Sequence, residues 1–522
     1  MTLLEIPTPS LNYLLLAPVL VVFGAACLGL LVEAFLPRAH RLLFQGLLAL
    51  VALVAALVLV IINSAGGARV VDAVGSIAID GPTHFIWGTL IVLGGLSLLL
   101  FVERQVDDSP FAASASAVPG SPAEAEAVEA GREHTEVFPL ALFALSGMMV
   151  FPAANDLVTM FVALEVLSLP LYLLCGMARR RRLLSQESSM KYFLLGALSS
   201  GFFLYGVALL YGFAGSFTFA DIAEAVANPT SSNGLLIAGL GLLGVGVLFK
   251  IGAVPFHSWT PDVYVGAPTA VTAFMAACTK IAAVVALLRA FYVALGGARW
   301  DWQPAMAVVA VLTLVIGAVM AITQTDVKRM LAYSSIAHAG FILTAVVGAH
   351  QAGSGATEGQ ITSIQAVLFY LAVYGAGTVA AFAIVTLVRD RGVESTNLKD
   401  WAGVGRKSPV LAGVFGLLLL SFAGIPLTSG FIGKWAVFAA AWAGGYWWLV
   451  VVAALVSVLT MFFYLKVIVS MYFASPSDGP EVAEPGFPTL IAVAVGVVVT
   501  LGAGVFPGPL LALAAKAGEF IR

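Results

Sequence analysis

Long apolar stretches alternate with short polar connections along almost the whole of this 522-residue chain. A transmembrane helix needs about 20 apolar residues, because the hydrocarbon core is about 30 Å thick and each helical residue rises about 1.5 Å. About fourteen stretches approach or exceed this length, so the pattern predicts an all-α, polytopic membrane protein with about 14 transmembrane helices. The stretches are 12–36, 41–63, 84–102, 137–153, 156–178, 190–213, 234–256, 266–296, 304–322, 327–349, 362–388, 408–443, 446–473 and 487–509.

The composition supports this class and excludes others. The chain is 61% hydrophobic and 10% charged, whereas soluble domains are about 45–50% apolar and about 25% charged. The net charge of −3 gives no indication of nucleic-acid binding. Cys27, Cys175 and Cys278 lie far apart in apolar runs, so the sequence predicts no disulfide framework, zinc site or iron–sulfur cluster. No glycine-rich nucleotide motif follows a strand pattern, so no cofactor site is expected in this chain.

The positive charges fall on alternate connections between the apolar stretches. The positive-inside rule places such connections in the cytoplasm. This distribution predicts a multi-pass protein of the inner (plasma) membrane with both termini on the external side. The positive connections are 38–41, 179–182, 328–329 and 389–407.

One connection is much longer than the others and differs in composition. Residues 104–136 are rich in Ala, Ser, Pro and Glu and have almost no large apolar side chain after Phe111. Such a segment buries too little surface to offset the entropy of ordering it, so we predict a disordered cytoplasmic linker. It would follow an N-terminal unit of three transmembrane helices at 1–103.

Ionisable residues lie inside several apolar runs, where each costs about 2.5–3.5 kcal/mol at the centre of the bilayer, and five of them are candidate functional residues. They are Glu165, Lys250, Lys280, His338 and Lys434. A lysine near the end of a span can extend its amino group to the interface, but Lys280 is near the middle of its stretch. A buried amine beside a movable carboxylate can hold and then release a proton. We therefore interpret the five residues as candidates for a proton relay, and a structural ion pair remains the alternative.

Two of these lysines lie near predicted breaks in their helices. Pro255 follows Lys250 by five residues, and Pro426 precedes Lys434 by eight residues. Interrupted helices in corresponding places of two halves are typical of transport sites at the interface of inverted repeats. The pattern therefore predicts a transport site built on broken helices.

Three sequence blocks and the surroundings of Glu165, LEVLSLPLYLL, resemble a known family. The blocks are FKIGAVPFHSWTPDVYVGAPTAVTAFMAACTKIA (249–282), TDVKRMLAYSSIAHAGFIL (325–343) and GIPLTSGFIGKWAVF (424–438). Together they resemble the antiporter-like subunits of respiratory complex I and of multisubunit sodium/proton antiporters, over roughly 155–470. The block ending GFIGKW, with a lysine at 434, is most similar to the subunit N branch of NADH-quinone oxidoreductase.

The resemblance implies an architecture of two inverted five-helix repeats. These would correspond to 137–296, with helices 4–8, and to 304–473, with helices 9–13. The spans before residue 104 would be peripheral, as would a C-terminal transmembrane helix within 487–522.

The resemblance also implies a role for each ionisable residue. Glu165 and Lys250 would form a charge pair in the first half-channel, and Lys280 would be the central relay. Lys434 would connect to the exit side, and His338 would lie on the polar axis between the two halves.

The function implied is that of a proton-translocating membrane subunit of NADH-quinone oxidoreductase (complex I), driven by quinone reduction elsewhere in that translocase. NADH, FMN, iron–sulfur clusters and quinone would be held by other subunits. Its partners would be the lipid bilayer and other membrane subunits, including the antiporter-like subunits L and M and small subunits. Two alternatives stay open: a cation/proton antiporter subunit with the same motifs, and a scaffold whose buried charges only hold helices together.

Overall fold

The structure is a computed structural model in which helices dominate. It describes residues 11–106, 109–113, 117–118, 121–130, 132–179, 181–229, 231–349, 360–390, 393–475 and 480–521. The α-helices are α1 (Tyr13–Phe35), α2 (Arg38–Ala65), α3 (Gly81–Val102), α4 (Pro122–Glu129), α5 (Val137–Val150), α6 (Leu157–Cys175), α7 (Arg182–Ala214), α8 (Phe219–Ala227), α9 (Asn233–Ile251), α10 (Trp259–Gly266), α11 (Thr269–Phe274), α12 (Lys280–Arg289), α13 (Arg299–Thr323), α14 (Val327–Gly348), α15 (Ser363–Val385), α16 (Val404–Lys407), α17 (Pro409–Ala423), α18 (Ser429–Ala443), α19 (Trp447–Phe473), α20 (Phe487–Val505) and α21 (Gly508–Lys516).

Other regular structure in the described residues is short and lies between the helices. The strands are β1 (Val70–Asp72), β2 (Ile77–Ile79), β3 (Val388–Asp390), β4 (Val393–Glu394) and β5 (Glu481–Val482). β1 and β2 form an antiparallel pair, and β3 lies between β4 and β5 with antiparallel pairing on both sides. In this second sheet Arg389 is opposite Glu394 on one side and Glu481 on the other.

The transmembrane prediction is confirmed. Among the described residues, 12 helical segments are long and apolar enough to cross a membrane, and two shorter apolar helices span Val137–Ala153 and Pro409–Ala423. Each predicted apolar stretch overlaps at least one of these segments. The segment Thr269–Ala294 and helices α14 and α15 are buried almost completely, whereas about two thirds of the apolar span is at least partly accessible in α1, α2, α7, α19 and α20. The molecule is therefore a bundle with a fully enclosed centre and a lipid-facing periphery.

Both predicted helix breaks are present. Helix α9 ends at Ile251 and is followed by Gly252, whose φ of +78° is in the left-handed region that glycine adopts readily. Helix α17 ends at Ala423 in the same way, with Gly424 at φ +88°. The chain resumes as α10 and α18 after connections of a few residues. Each break exposes backbone carbonyl groups inside the bundle, because the last turn of a helix leaves its carbonyls unpaired.

The segment that carries Lys280 has a third irregularity. Residues Met275–Thr279, directly before Lys280, form a turn of π-helix, and Ala290–Ala294 form another after α12. Such turns are rare and occur often at functional sites. Lys280 therefore lies on a short α-helical insert between two widened turns, within a segment that is buried on all sides.

The described part of 104–136 differs from the predicted disordered linker. Helix α4 forms within it, and Phe111 is buried, with its ring centroid 5.0 Å from that of Phe101. The backbone at Phe111 also forms a bridge with Ala178. One aromatic side chain thus anchors this part of the segment to the bundle. A composition average over the segment does not detect such a contact.

A buried ion pair joins three parts of the bundle. Two nitrogens of the Arg289 guanidinium lie 2.9 and 2.8 Å from the two carboxylate oxygens of Asp80, and both side chains have 0% exposure. Arg289 Nε donates to the Pro152 carbonyl at 2.6 Å, and the Ile521 amide donates to Asp80 at 3.1 Å. Burial acts to raise the pKa of Asp80, but Arg289 and the hydrogen bonds outweigh it, so the pKa lies below its usual value. The pair fixes the end of α12 to the start of α3 and to the C-terminal segment.

We predict that Arg289→Gln destabilises the protein strongly, by about 3–5 kcal/mol, because it leaves a buried carboxylate without its counter-ion. The matched control is Arg69→Gln. Arg69 pairs with Glu519 at 3.0 Å, but the two side chains are 50% and 57% exposed, so its loss costs about 0–1 kcal/mol.

The measurement is thermal unfolding in detergent, followed with a thiol-reactive dye. Cys175 and Cys278 are buried in the folded protein and become reactive when it unfolds. Equal unfolding temperatures for the two arginine variants would contradict the prediction.

Candidate functional site

The three predicted relay lysines are all enclosed by the bundle. Lys250, Lys280 and Lys434 are 3%, 3% and 4% exposed. The amino group of each donates hydrogen bonds to atoms inside the bundle and does not reach the surface. Extension toward the interface is therefore excluded for these three side chains.

Lys250 is held in a cage of aromatic rings at the end of α9. Its Nζ donates to the Tyr192 hydroxyl at 3.1 Å and lies 5.0 and 5.6 Å from the ring centroids of Tyr192 and Tyr172. Tyr192 in turn stacks on Trp259 of α10 with a centroid separation of 4.6 Å. Cation–π contacts of this kind stabilise a desolvated amine without a counter-ion.

Glu165 of α6 lies near this cage but makes no direct ion pair with a described lysine. It is close enough for its charge to interact with Lys250 and with Tyr172. Its Oε1 atom is buried and has no hydrogen-bond partner among the described residues. The structure thus brings Glu165 and Lys250 into the same region, but the two side chains do not form the expected direct ion pair.

Lys280 binds the side of α14 that faces it. Its Nζ donates to both the backbone carbonyl and the hydroxyl of Ser335, and it lies 5.9 Å from the ring centroid of Tyr374 in α15. No carboxylate pairs with Lys280 among the described residues. The central amine is therefore solvated by a hydroxyl, a carbonyl and an aromatic face.

His338 lies one turn beyond Ser335 on α14 and is bonded through both ring nitrogens. Nδ1 is 2.7 Å from the Tyr370 hydroxyl, and Nε2 is 3.1 Å from the Tyr464 hydroxyl, which also contacts Ser334. The imidazole stacks on Tyr374 at a centroid distance of 4.4 Å. Tyr374 therefore touches both Lys280 and His338, so these two predicted residues belong to one cluster.

Lys434 is bound at the break between α17 and α18. Its Nζ donates to the carbonyl of Ala423, the last residue of α17, at 2.8 Å and to the Ser457 hydroxyl at 2.9 Å. It lies 4.5 Å from the ring centroid of Phe341. A Cβ atom added at Gly424 would lie only 3.0 Å from Lys434 Cδ. Glycine at this position therefore leaves room for the aliphatic part of the lysine side chain.

A small cavity connects the His338 cluster with this break. Its volume is about 10 Å³, and its wall includes His338, Tyr370, Tyr374, Ser421 and Ser429. A space of about 10–15 Å³ holds one water molecule when polar groups surround it. Ser421 lies in the last turn of α17 and Ser429 begins α18, so the cavity lies between the imidazole and the helix break.

The axis is less continuous between Lys250 and Lys280. Trp259 separates Tyr192 from Tyr264, whose hydroxyl lies near Ser335. The Trp259 indole N–H donates to the backbone carbonyl of Phe249 at 2.9 Å, so it offers no free polar group to the axis. The site therefore consists of a Glu165–Lys250 group and a larger group from Lys280 to Lys434.

The sequence does not predict the side chains that bind these ionisable residues. Tyr192, Ser335, Tyr370, Tyr374 and Tyr464 are ordinary residues of apolar helices, and no spacing rule marks them. Two charged residues did carry a signal that was missed. These are Arg289, inside the predicted stretch 266–296, and Lys328, which was assigned to a polar connection but is 3% exposed.

In the part of the chain that the structure describes, no group of three or more His, Cys, Asp or Glu side chains is arranged to hold a metal ion. The chemistry available at the site is that of amines, hydroxyls, an imidazole and one carboxylate. Groups of these types can accept and donate protons.

Comparisons with known proteins show the family. Residues 154–460 match the transmembrane family described as NADH:quinone oxidoreductase/Mrp antiporter. The chain is 57% identical to NADH-quinone oxidoreductase subunit N of Nocardioides sp., over 98% of this chain and 99% of that protein. It is 55% identical to subunit N of Rhodococcus opacus, over 99% and 98% of the two chains.

Solved structures show the same fold. A chain of respiratory complex I from Thermus thermophilus with bound aureothin matches with a TM-score of 0.75 and 32% identity, over 96% of this chain and 100% of that chain. A chain of the Mrp complex from Dietzia sp. matches with a TM-score of 0.78 at 22% identity, over 97% of each chain, which shows the fold alone. This chain belongs to the NADH:quinone oxidoreductase/Mrp antiporter family and, within it, to the NADH-quinone oxidoreductase subunit N proteins.

Proposed function

We propose that this chain translocates protons across the bilayer as a membrane subunit of an NADH-quinone oxidoreductase, through the axis from Glu165 through Lys250, Lys280 and His338 to Lys434. The observation that carries the proposal is the solvation of Lys280. Its amine is enclosed at the centre of the bundle with a hydroxyl, a carbonyl and a ring as partners, and no carboxylate among the described residues pairs with it.

A fixed ion pair would hold the proton of an amine permanently. Burial disfavours the charged form of a lysine, and only an opposite charge nearby restores it. Lys280 and Lys434 have hydroxyl and carbonyl partners, so the proton of each is released more easily than from a paired ammonium. Both amines therefore suit a site that is loaded and emptied in each cycle.

Glu165 would supply the movable negative charge. One of its oxygens is buried without a hydrogen-bond partner among the described residues, which is costly and points to a partner that changes during the cycle. When Glu165 approaches Lys250, it would stabilise the ammonium form. When it withdraws, the proton would move on toward Lys280. Quinone reduction elsewhere in the complex would drive this exchange.

The element order supports two inverted repeats at 137–296 and 304–473. In each segment three apolar helices and then one short helix precede a broken helix, and another membrane-spanning segment follows it. The breaks at Gly252 and Gly424 occupy the same place in this order. We assign the helices of 1–103 and 487–522 to the periphery of the transport unit.

The broader setting follows from the family. We propose that the chain lies in the plasma membrane with both termini outside and contacts other membrane subunits, including the antiporter-like subunits L and M and small subunits. The cofactors NADH, FMN, iron–sulfur clusters and quinone would then be bound by other subunits of the complex.

Replacing the central lysine should stop proton movement. We expect Lys280→Met to reduce proton pumping and the coupled quinone reductase activity of the assembled complex about tenfold or more, because loss of a positioned proton donor typically costs at least this much. The measurement is acidification of inverted membrane vesicles with NADH as substrate.

The matched control is Lys466→Met. Lys466 is a lysine of α19 that is exposed and donates to the backbone carbonyls of Ile322 and Gln324. It should retain normal pumping. Normal pumping in Lys280→Met, with a normal amount of assembled complex, would refute the relay.

A double substitution separates a relay from a scaffold. Glu165→Leu combined with Lys250→Met removes both charges and keeps their approximate volumes. A scaffold would tolerate the change, because apolar residues often replace buried ion pairs without loss. We expect normal assembly together with strongly reduced pumping, measured in the same vesicles. Pumping at the wild-type rate would support the scaffold.

The cation/proton antiporter alternative predicts a different dependence on sodium. If the chain translocates protons in a redox complex, vesicle acidification should have the same rate in sodium-free potassium buffer and in sodium buffer. A pH change that requires sodium and persists without NADH would favour the antiporter.

A further inference from the structure

The face of the bundle that carries the second β-sheet has an open acidic vestibule. Its volume is about 470 Å³. Four of the five charged residues that line it are carboxylates, and such negative charge raises the local concentration of cations, including protons. The charged residues of its wall are Arg181, Asp326, Asp390, Glu394 and Asp400.

A second cavity lies deeper in the bundle beside this vestibule. Its volume is about 100 Å³, which is room for several water molecules. Its wall includes Glu103, Thr269 and Lys328. Arg181, Val393 and Glu394 line both cavities. These three residues therefore form the partition between the vestibule and the interior.

A chain of hydrogen bonds leads inward from this partition. The Thr269 hydroxyl lies 2.6 and 2.7 Å from the two carboxylate oxygens of Glu394. Lys328 Nζ donates to the same hydroxyl at 2.8 Å and to the Ala267 carbonyl at 2.9 Å. The Glu394 side chain is 23% exposed, whereas that of Lys328 is 4% exposed. The partly exposed carboxylate of Glu394 is thus joined to the buried amine of Lys328 through the single hydroxyl of Thr269.

Helix α14 carries Lys328 at its start and residues of the proposed relay farther along. Lys328, Ser335 and His338 are separated by seven and three residues, so they share one face of the helix. Ser335 binds Lys280, and His338 belongs to the central cluster. Lys328 lies about 10.5 Å from Ser335 along the helix axis, at 1.5 Å per residue. One face of α14 therefore lines the inner cavity with Lys328 and contacts the central cluster with Ser335 and His338.

We propose that Glu394, Thr269 and Lys328 form a proton-loading port, in which Glu394 takes up protons from the acidic vestibule and passes them through Thr269 to Lys328. This inference rests on the proposed function and adds the site at which the axis exchanges protons with water. The connection that carries Glu394 follows α15, outside the predicted relay motifs.

The transfer is balanced at each atom. A hydronium ion in the vestibule gives a proton to a carboxylate oxygen of Glu394 and becomes water. The resulting carboxylic acid donates this proton to Thr269 Oγ1 while the hydroxyl proton of Thr269 passes to the neutral amine of Lys328. Glu394 is a carboxylate again, Thr269 is unchanged, and Lys328 is an ammonium at 3.7 Å from Glu394. Release of that proton toward Lys280 resets the port.

The experiment compares Glu394→Gln with Glu481→Gln in the assembled complex. Glu481 belongs to the same three-stranded sheet, on strand β5, but it is exposed and lies outside both cavities. NADH-driven vesicle acidification and quinone reductase activity are measured between about pH 6 and pH 8. The charged groups that line the two cavities around Glu394 are Arg179, Arg181, Asp326, Lys328, Arg389, Asp390 and Asp400, with Glu103 across the inner cavity.

A carboxylate that collects protons matters most when protons are scarce. We expect Glu394→Gln to slow both rates about tenfold near pH 8 and much less near pH 6, and Glu481→Gln to behave as wild type. A loss of equal size at every pH would show a structural role and overturn the port. Wild-type rates in Glu394→Gln, with Lys280→Met inactive, would overturn the port alone and leave the proposed function intact.

A second pair of variants keeps the test valid if Glu394→Gln fails to assemble. Thr269→Val has nearly the volume of threonine but cannot transfer a proton, and Thr269→Ser restores the hydroxyl. We expect the pH-dependent loss in Thr269→Val and its rescue in Thr269→Ser. Equal rates for the two variants at every pH would contradict the port.

Discussion

An amine inside a hydrocarbon layer must be solvated by the protein, and this constraint shapes the centre of the bundle. The broken helices meet it with backbone carbonyls. Lys434 binds the carbonyl of Ala423, where α17 ends, and Lys328 binds that of Ala267, where α10 ends. The carbonyl end of a helix carries partial negative charge, so it attracts a cation without supplying a full counter-ion. The helix breaks therefore interrupt the helices and also supply the carbonyl groups that solvate the buried amines.

The same bundle contains the opposite arrangement. Arg289 has a complete partner set in Asp80 and the Pro152 carbonyl, and no part of the pair is exposed. An arginine stays charged, and a bidentate carboxylate fixes its geometry. Lys280, nine residues earlier on the same helix, has a hydroxyl and a carbonyl but no carboxylate partner among the described residues. One end of α12 is thus fixed by a full ion pair, while the other holds an amine that has no counter-ion among the described residues.

The sequence predicted those parts of the site that violate a general rule. Lys280 and Lys434 could be found because charge is rare in a membrane helix, and the breaks because glycine and proline interrupt helices. Tyr374 and Ser335 follow no such rule, since both residue types are common in buried helices. Lys328 was misjudged because its position at the start of α14 suggests an exposed connection. Its burial depends on packing against α10 and α11, which are distant in the sequence.

Helix α14 is the element that connects these features. Its start bears Lys328 beside the cavities, its middle bears Ser335 against Lys280, and the next turn bears His338 against Tyr374. These contacts lie on one face. In the part of the chain that the structure describes, Trp259 and Tyr264 lie between the Glu165–Lys250 group and the rest of the axis, joined by ring contacts. Under the proposed function, a charge that moves near Lys250 would act on Lys280 through its electric field. In a dry interior such a field is weakly screened, so coupling between the two groups needs no continuous chain of hydrogen bonds.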